Sequence, residues 1–165
     1  MDFLYPVILY PIIYILPAYV ANGAPVLFGG GRTIDNGKRL WGNPIFGQHK
    51  TWRGLVAGIL SGTLMAAAEG YFMPALMLAG IAMSFGAHFG DLLGSFIKRR
   101  MRRDSGNNMF LLDQYLFVIF ALIFAAPFGE MPTLYGIVFL LILTGVLHIS
   151  TNAAAHKMKL KDVPW

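Results

Sequence analysis

Every Lys and Arg of this 165-residue chain falls in one of three segments, and long apolar stretches separate those segments. The first holds Arg32, Lys38, Arg39, Lys50 and Arg53, the second Lys98, Arg99, Arg100, Arg102 and Arg103, and the third Lys157, Lys159 and Lys161. Cations confined to alternate connections follow the positive-inside rule, which puts those connections in the cytoplasm. The opposite side carries Asp2, Glu69 and Glu130 and no cation. This pattern demands an odd number of spans, with the N-terminus outside and the C-terminus cytoplasmic. Apolar stretches at residues 3–21, 55–72, 74–97, 111–127 and 133–155 meet that parity. Each is close to the ~20 residues a helix needs to cross a bilayer.

Charged residues make up 13% of the chain, against about 25% in soluble domains. No two-residue alternation is present, which excludes the closed barrel as the spanning structure. The fold class is therefore an all-α membrane protein with five transmembrane helices. It forms a single integral membrane domain over residues 1–165, with two functional cytoplasmic loops at 22–54 and 98–110. The first stretch contains Pro6, Pro11 and Pro17, so a kink is expected. It is too long and too rich in proline for a cleaved signal peptide. The chain has no Cys, so neither disulfide nor thiolate chemistry is available. Its net charge of +5 follows from the membrane placement of the cations and gives no reason to expect a nucleic-acid partner.

Two stretches carry a small residue every fourth position: Gly54, Gly58, Gly62, Ala66 and Gly70 in the second, and Ala82, Gly86, Gly90 and Gly94 in the third. Such stripes let helix backbones approach closely. The expectation is that these two helices pack on each other through them. A homodimer interface is the alternative. In both readings Asp91 and Ser95 face the bundle rather than lipid.

The stretch that concentrates chemistry is residues 90–114, GDLLGSFIKRRMRRDSGNNMFLLDQ. On a helix Asp91, Ser95 and Lys98 share one face, at i, i+4 and i+7. A stop-transfer flank explains the cations. It does not explain two acids, Asp91 and Asp113, at the inner ends of neighbouring spans, where acids default to function. Carboxylates hold Mg²⁺, which usually shares its ligands with substrate phosphates. The set therefore suits a metal-assisted phosphoryl or nucleotidyl transfer. In the first cytoplasmic loop, His49-Lys50-Thr51 precedes a span, and a helix N-terminus with a cation and a hydroxyl holds phosphate well. His88, three residues before Asp91, reads as a core histidine hydrogen-bonded within the bundle, with a ligand role as the alternative. His148 and His156 read as structural, and Trp41, Trp52 and Trp165 as interfacial. No Ser-His-Asp set and no HExxH is present.

Gly90-Asp91-Leu92, Ser95, Lys98-Arg99, Asp104-Ser105-Gly106 and Leu112-Asp113 together resemble the signature of the CTP-dependent phosphatidate cytidylyltransferases, the CDP-diglyceride synthetases. Lys50-Thr51-Trp52-Arg53-Gly54 is similar to that family's Lys-Thr-aromatic-Glu-Gly element. The match covers residues 47–115. Asn107-Asn108-Met109-Phe110 replaces a glycine-rich, His-containing piece, Arg103 stands for a Lys, and Gln114 stands for an Arg. With five spans and the Asn22-Gly23-Ala24-Pro25 loop, the chain resembles the archaeal branch, the CDP-archaeol synthases.

That resemblance implies transfer of CMP from CTP onto an isoprenoid ether lipid phosphate, 2,3-di-O-geranylgeranylglycerol 1-phosphate, with Mg²⁺, at the cytoplasmic side of the cell membrane. It implies Asp91 and Asp113 as the catalytic metal-holding acids. It implies Asn22, Lys50, Thr51, Ser95, Lys98, Arg99 and Asp104 as contacts to CTP. The Asp-Gly-x-x-Ala-Arg start of the CDP-alcohol phosphotransferases is absent. The remaining alternative is a small transporter, or another CDP-lipid-handling protein without the transferase activity. Asp91 argues against it, because it lies about 27 Å along its helix at 1.5 Å per residue, near the inner face rather than the midplane.

Overall fold

The computed structural model describes residues 3–103, 109–129 and 131–160, with the side chains of residues 110, 111 and 113 outside the description. Five helices follow in order: α1 (Tyr10–Phe28), α2 (Trp52–Phe72), α3 (Leu76–Arg100), α4 (Phe110–Ala125) and α5 (Leu134–Lys157). A π-helical turn, Tyr5–Leu9, leads into α1, and a 3-10 turn, Ala126–Phe128, follows α4. The segment Tyr5–Phe28 and helices α2, α3 and α5 are long and apolar enough to cross a bilayer, whereas α4 has only 16 residues. The prolines of the first segment have no N–H to donate to the helical ladder. The π-turn contains Pro6, and Pro17 and Pro25 lie inside α1.

Helix α1 runs further than the sequence suggested. Asn22-Gly23-Ala24-Pro25 was expected in a loop, but it forms the last turns of the helix, which ends where Gly29 N–H donates to Pro25 O at 2.9 Å. The cause is packing. A Cβ on Gly62 would stand 2.8 Å from Pro17 O, and one on Gly58 would stand 2.6 Å from Ala21 O. Backbone that close to a neighbouring helix is held by tertiary contact, which outweighs the local turn preference of Asn-Gly.

Both small-residue stripes are buried, save the half-buried Ala82, but they do not meet each other. The α2 stripe faces α1 and a different face of α3, where Gly58 meets His88, Gly62 meets Ser84, Ala66 meets Gly80 and Gly70 meets Met77. The α3 stripe faces α4. Gly86 abuts Phe120 and Ala121, Gly90 abuts Leu116 and Phe117, and Gly94 abuts Leu112 and Leu116. The expected α2–α3 zipper is therefore corrected to two separate close contacts, with α3 between them. Both stripes are used within one chain, which leaves neither for a homodimer interface.

The α3–α4 register is antiparallel: 86 with 120, 90 with 116, 94 with 112. It puts the backbones of Asp91 and Asp113 within about one helical turn of the same level on adjacent helices. The apolar core joins Tyr14, Ile15 and Ala18 of α1 to Met83 and Ala87 of α3, Val118 and Ala121 of α4, and Leu140 of α5. Tyr19 and Thr144 pair their hydroxyls at 2.7 Å and tie α5 to α1.

The connection between α1 and α2 is folded. Strands β1 (Arg39–Leu40) and β2 (Asn43–Pro44) pair antiparallel across Trp41-Gly42, both at positive φ, as the tightest hairpin turn requires. Arg100, at the end of α3, donates to the carbonyls of Leu40, Asn43 and Pro44. Its guanidinium also lies over the rings of Trp41 and Phe96. The hairpin is thus clamped to the helix that carries Asp91.

Asp35 organises the base of the hairpin. Burial works against its charge, but N–H donors from Phe46, Gly47 and Gly37 and the Thr33 side chain outweigh that, so its carboxyl sits below its ordinary value. A lowered folded value means that the stabilisation is complete above the ordinary carboxylate value. It is lost as pH falls through the lower folded one.

Candidate active site

Lys50 and Asp91 meet. They are 41 positions apart in sequence, yet Lys50 Nζ donates to both carboxylate oxygens, at 2.7 Å to Oδ1 and 2.6 Å to Oδ2. Their side chains are 24% and 32% exposed, so the pair sits at the rim of the bundle rather than in its core. The neighbour Thr51 is the N-cap of α2, and its hydroxyl accepts from Gly54 N–H at 3.2 Å. The Thr51 hydroxyl and Arg32 O take the N–H groups of Gly54 and Trp52, which leaves that of Arg53 in the first turn to face a ligand. Behind the pair, Pro25, Ile34, His49, Gly54, Leu55, His88 and Leu92 complete a pocket of about 40 Å³. That volume holds a few waters and not a nucleotide.

His88 lies at the back of this pocket, buried, with Nε2 making no hydrogen bond. The ring occupies the space of the missing Gly58 side chain, since a Cβ there would stand 2.1 Å from Nε2. The core reading of His88 holds for its burial, but the residue also lines the site.

Of the residues expected in the site, the structure brings Lys50, Thr51 and Asp91 together. Ser95 and Arg99 are buried on α3, Lys98 is partly buried at its C-terminal end, and Asn22 is partly buried on α1. None of these four lines the pocket. Asp104 lies outside the described residues, as does the side chain of Asp113. Sequence reasoning missed Ile34 and Asp35. Asp35-Asn36-Gly37 is a turn signal in which an Asp side chain accepts backbone N–H groups, and this could have drawn attention to it.

Does the site suit a divalent cation? Asp91 already carries a cation, the ammonium of Lys50, on both oxygens. Hard carboxylate oxygens at a position that carries positive charge fit Mg²⁺, which needs only one or two protein carboxylates beside substrate phosphates. Among the described residues no three His, Asp or Glu side chains gather into a metal cage. The donor set therefore matches a metal shared with a phosphate ligand rather than one fully enclosed by protein.

Comparison with known proteins gives a consistent result. A family profile described as CarS-like, CDP-archaeol synthase, matches residues 4–165. The CDP-archaeol synthase of Pyrococcus abyssi is 47% identical over 161 residues, covering 92% of this chain and 95% of the relative. That of Methanococcus aeolicus is 41% identical over 168 residues, covering 93% and 94%. A solved structure, described as an intramembrane enzyme for archaeal membrane lipids biosynthesis, superposes with a TM-score of 0.80 at 35% identity. That superposition covers 86% of this chain and 91% of the other.

Proposed function

The chain belongs to the CDP-archaeol synthase family, and from that premise we propose how its residues carry out the reaction. It is a multi-pass membrane enzyme, a CTP-dependent cytidylyltransferase that forms CDP-archaeol. The lipid substrate is 2,3-di-O-geranylgeranylglycerol 1-phosphate. A phosphate monoester oxygen of the lipid attacks the α-phosphorus of CTP. The new O–P bond forms as the bond to the β-phosphate oxygen breaks, and pyrophosphate leaves.

The observation that supports this most directly is the Lys50–Asp91 pair at the cap of α2. It places a cation, a carboxylate and a helix N-terminus around one small pocket at the end of a span. On CTP binding Lys50 leaves Asp91 and takes the triphosphate, with Thr51 and the first turn of α2 beside it. Asp91 and Asp113 would hold Mg²⁺, which would supply neutralisation of the charge that builds on the departing pyrophosphate. Ser95, Lys98, Arg99 and Asp104 contact the nucleotide. Asn22, in the last turns of α1, shapes the pocket from the other side. No general base is needed, because the nucleophile is itself an anion. Membranes containing the enzyme, given labelled CTP and the lipid phosphate, should yield a labelled lipid. If no lipid is labelled while CTP is bound, the reaction is wrong.

Lys50→Ala should raise KM for CTP by about tenfold, the scale of one lost charge-assisted hydrogen bond. KM for the lipid should change little. The reverse split would move Lys50 to the lipid phosphate.

The protein forms one membrane domain of five spans in the cell membrane, with the site on the cytoplasmic side. The charge segregation of the loops supports this. The chain has no Cys, so single cysteines report cleanly. Tyr71 is 83% exposed at the far end of α2, and Tyr71→Cys should react with an impermeant thiol reagent from outside. Lys38→Cys should react only after the inner face is opened. Labelling of Lys38→Cys from outside would invert the topology.

A further inference from the structure

We propose that Asp35 is a positioning residue for nucleotidyl transfer, a carboxylate brace that sets Lys50 at the mouth of the site. This rests on the reading that Lys50 serves the triphosphate. Asp35 is 6% exposed. Its Oδ1 accepts from Gly37 N–H at 3.1 Å, and its Oδ2 accepts from Phe46 N–H at 3.0 Å and Gly47 N–H at 3.1 Å. The hairpin lies between these donors, so one carboxylate closes it at the base. Lys38 N–H to Asp35 O (2.8 Å) and Ile45 N–H to Lys38 O (3.3 Å) complete the closure.

From Asp35 the backbone reaches Lys50 by two routes. The preceding residue, Ile34, donates its N–H to Lys50 O at 2.8 Å. That contact continues as the Thr33–Thr51 bridge and the bond from Trp52 N–H to Arg32 O at 3.1 Å. On the other side Gly47, held by Oδ2, accepts from Lys50 N–H at 3.2 Å. The N–H and the C=O of Lys50 are therefore both fixed by backbone groups adjacent to, or held by, the Asp35 carboxylate. A lysine side chain is long and flexible, so where it acts is decided by where its backbone stands.

The outer end of the loop has its own anchor. Arg100 grips the hairpin carbonyls, and the Phe46 ring lies 6.5 Å from that of Phe96. Those contacts dock the hairpin on α3 but touch nothing between Gly47 and Thr51. The Asp35 network joins the docked hairpin to the backbone of Lys50. A carboxylate is required there, because three N–H donors converge on two acceptor oxygens. An Asn offers one oxygen and turns an NH₂ group toward donors.

The test uses Asp35→Asn in the full-length protein, alone and combined with Lys50→Ala. Hydrogen exchange of peptides covering residues 34–50 should speed up in Asp35→Asn, while exchange in α3 stays unchanged. KM for CTP should rise roughly tenfold, the scale of one buried N–H left without its acceptor. In the Lys50→Ala background the same substitution should change KM by less than about twofold, since two changes acting through one residue do not add. Equal losses in both backgrounds would overturn the proposal, because Asp35 would then be supporting the fold in general. Unchanged exchange at residues 34–50 would overturn it as well. If Lys50→Ala leaves KM for CTP untouched, the role of Lys50 fails. Faster exchange in Asp35→Asn would then still support the brace.

Discussion

Asp91→Asn should leave a folded, inserted protein whose cytidylyl transfer is lowered by about 10²–10³-fold or more, the scale of losing one preorganised electrostatic group. The substitution keeps the size and one oxygen of the side chain and removes its charge. Asp91 is placed to hold positive charge, since both of its oxygens accept from Lys50. Without that charge, neither the resting ion pair nor the metal-bound state has its anion. Lys50 would be left unpaired at the rim, and because it is partly exposed there, water can take over its hydration. The loss should therefore fall on catalysis more than on stability. Transfer rate, thermal unfolding in detergent and CTP binding should be measured side by side. Asp113→Asn should behave alike. An active Asp91→Asn enzyme would rule out Asp91 as a metal-holding acid and leave the Lys50 contact as its whole role.

The legibility of this chain in its sequence divides along physical lines. The helices could be read, because a bilayer imposes one length and one polarity on each of them. Which faces are buried could also be read, since Gly54, Gly58 and Gly62 recur at the spacing of one helix face and are all buried. Which helix covers a face could not. A stripe of small residues states that something comes close but not what, and Gly86, Gly90 and Gly94 turn out to meet α4 rather than α2. Asn22-Gly23-Ala24-Pro25 has the composition of a turn, and only the contact of α1 with Gly58 and Gly62 makes it helical.

The site shows the same division. Asp91 and Lys50 stood out, each by its own neighbourhood, one an acid at a span's end and the other a cation before a helix. Their pairing across 41 positions has no local signature. Asp35 stood out least. It sits among loop cations, and its partners at positions 37, 46 and 47 are backbone groups that every residue has. A brace made of backbone N–H bonds is invisible until the loop is closed.

Gly90→Ala and Gly86→Ala should be among the most damaging single-methyl additions in the bundle. A Cβ on Gly90 would stand 2.2 Å from Leu116 O, and one on Gly86 would stand 2.4 Å from Phe120 O. Both obstacles are backbone of α4, which cannot rotate aside as a side chain can. The helices must separate or the chain must strain, at a cost of about 1–3 kcal/mol or more per site. Gly94→Ala, on the same stripe, meets the flexible Cδ1 of Leu116 at 3.2 Å and Leu112 O at an ordinary contact distance of 3.4 Å, and should be mild. Function should follow stability, because the α3–α4 contact also holds the backbones of Asp91 and Asp113 near one level. Pushing α4 away by an ångström moves the second acid from the first, and misplacement on that scale can cost about 10²-fold in rate. The three variants therefore form a series. Thermal stability in detergent and transfer rate should fall together for Gly86→Ala and Gly90→Ala and hold for Gly94→Ala. If Gly90→Ala proves as stable and as active as Gly94→Ala, α3 and α4 do not approach so closely, and the two acids are not held together by that contact.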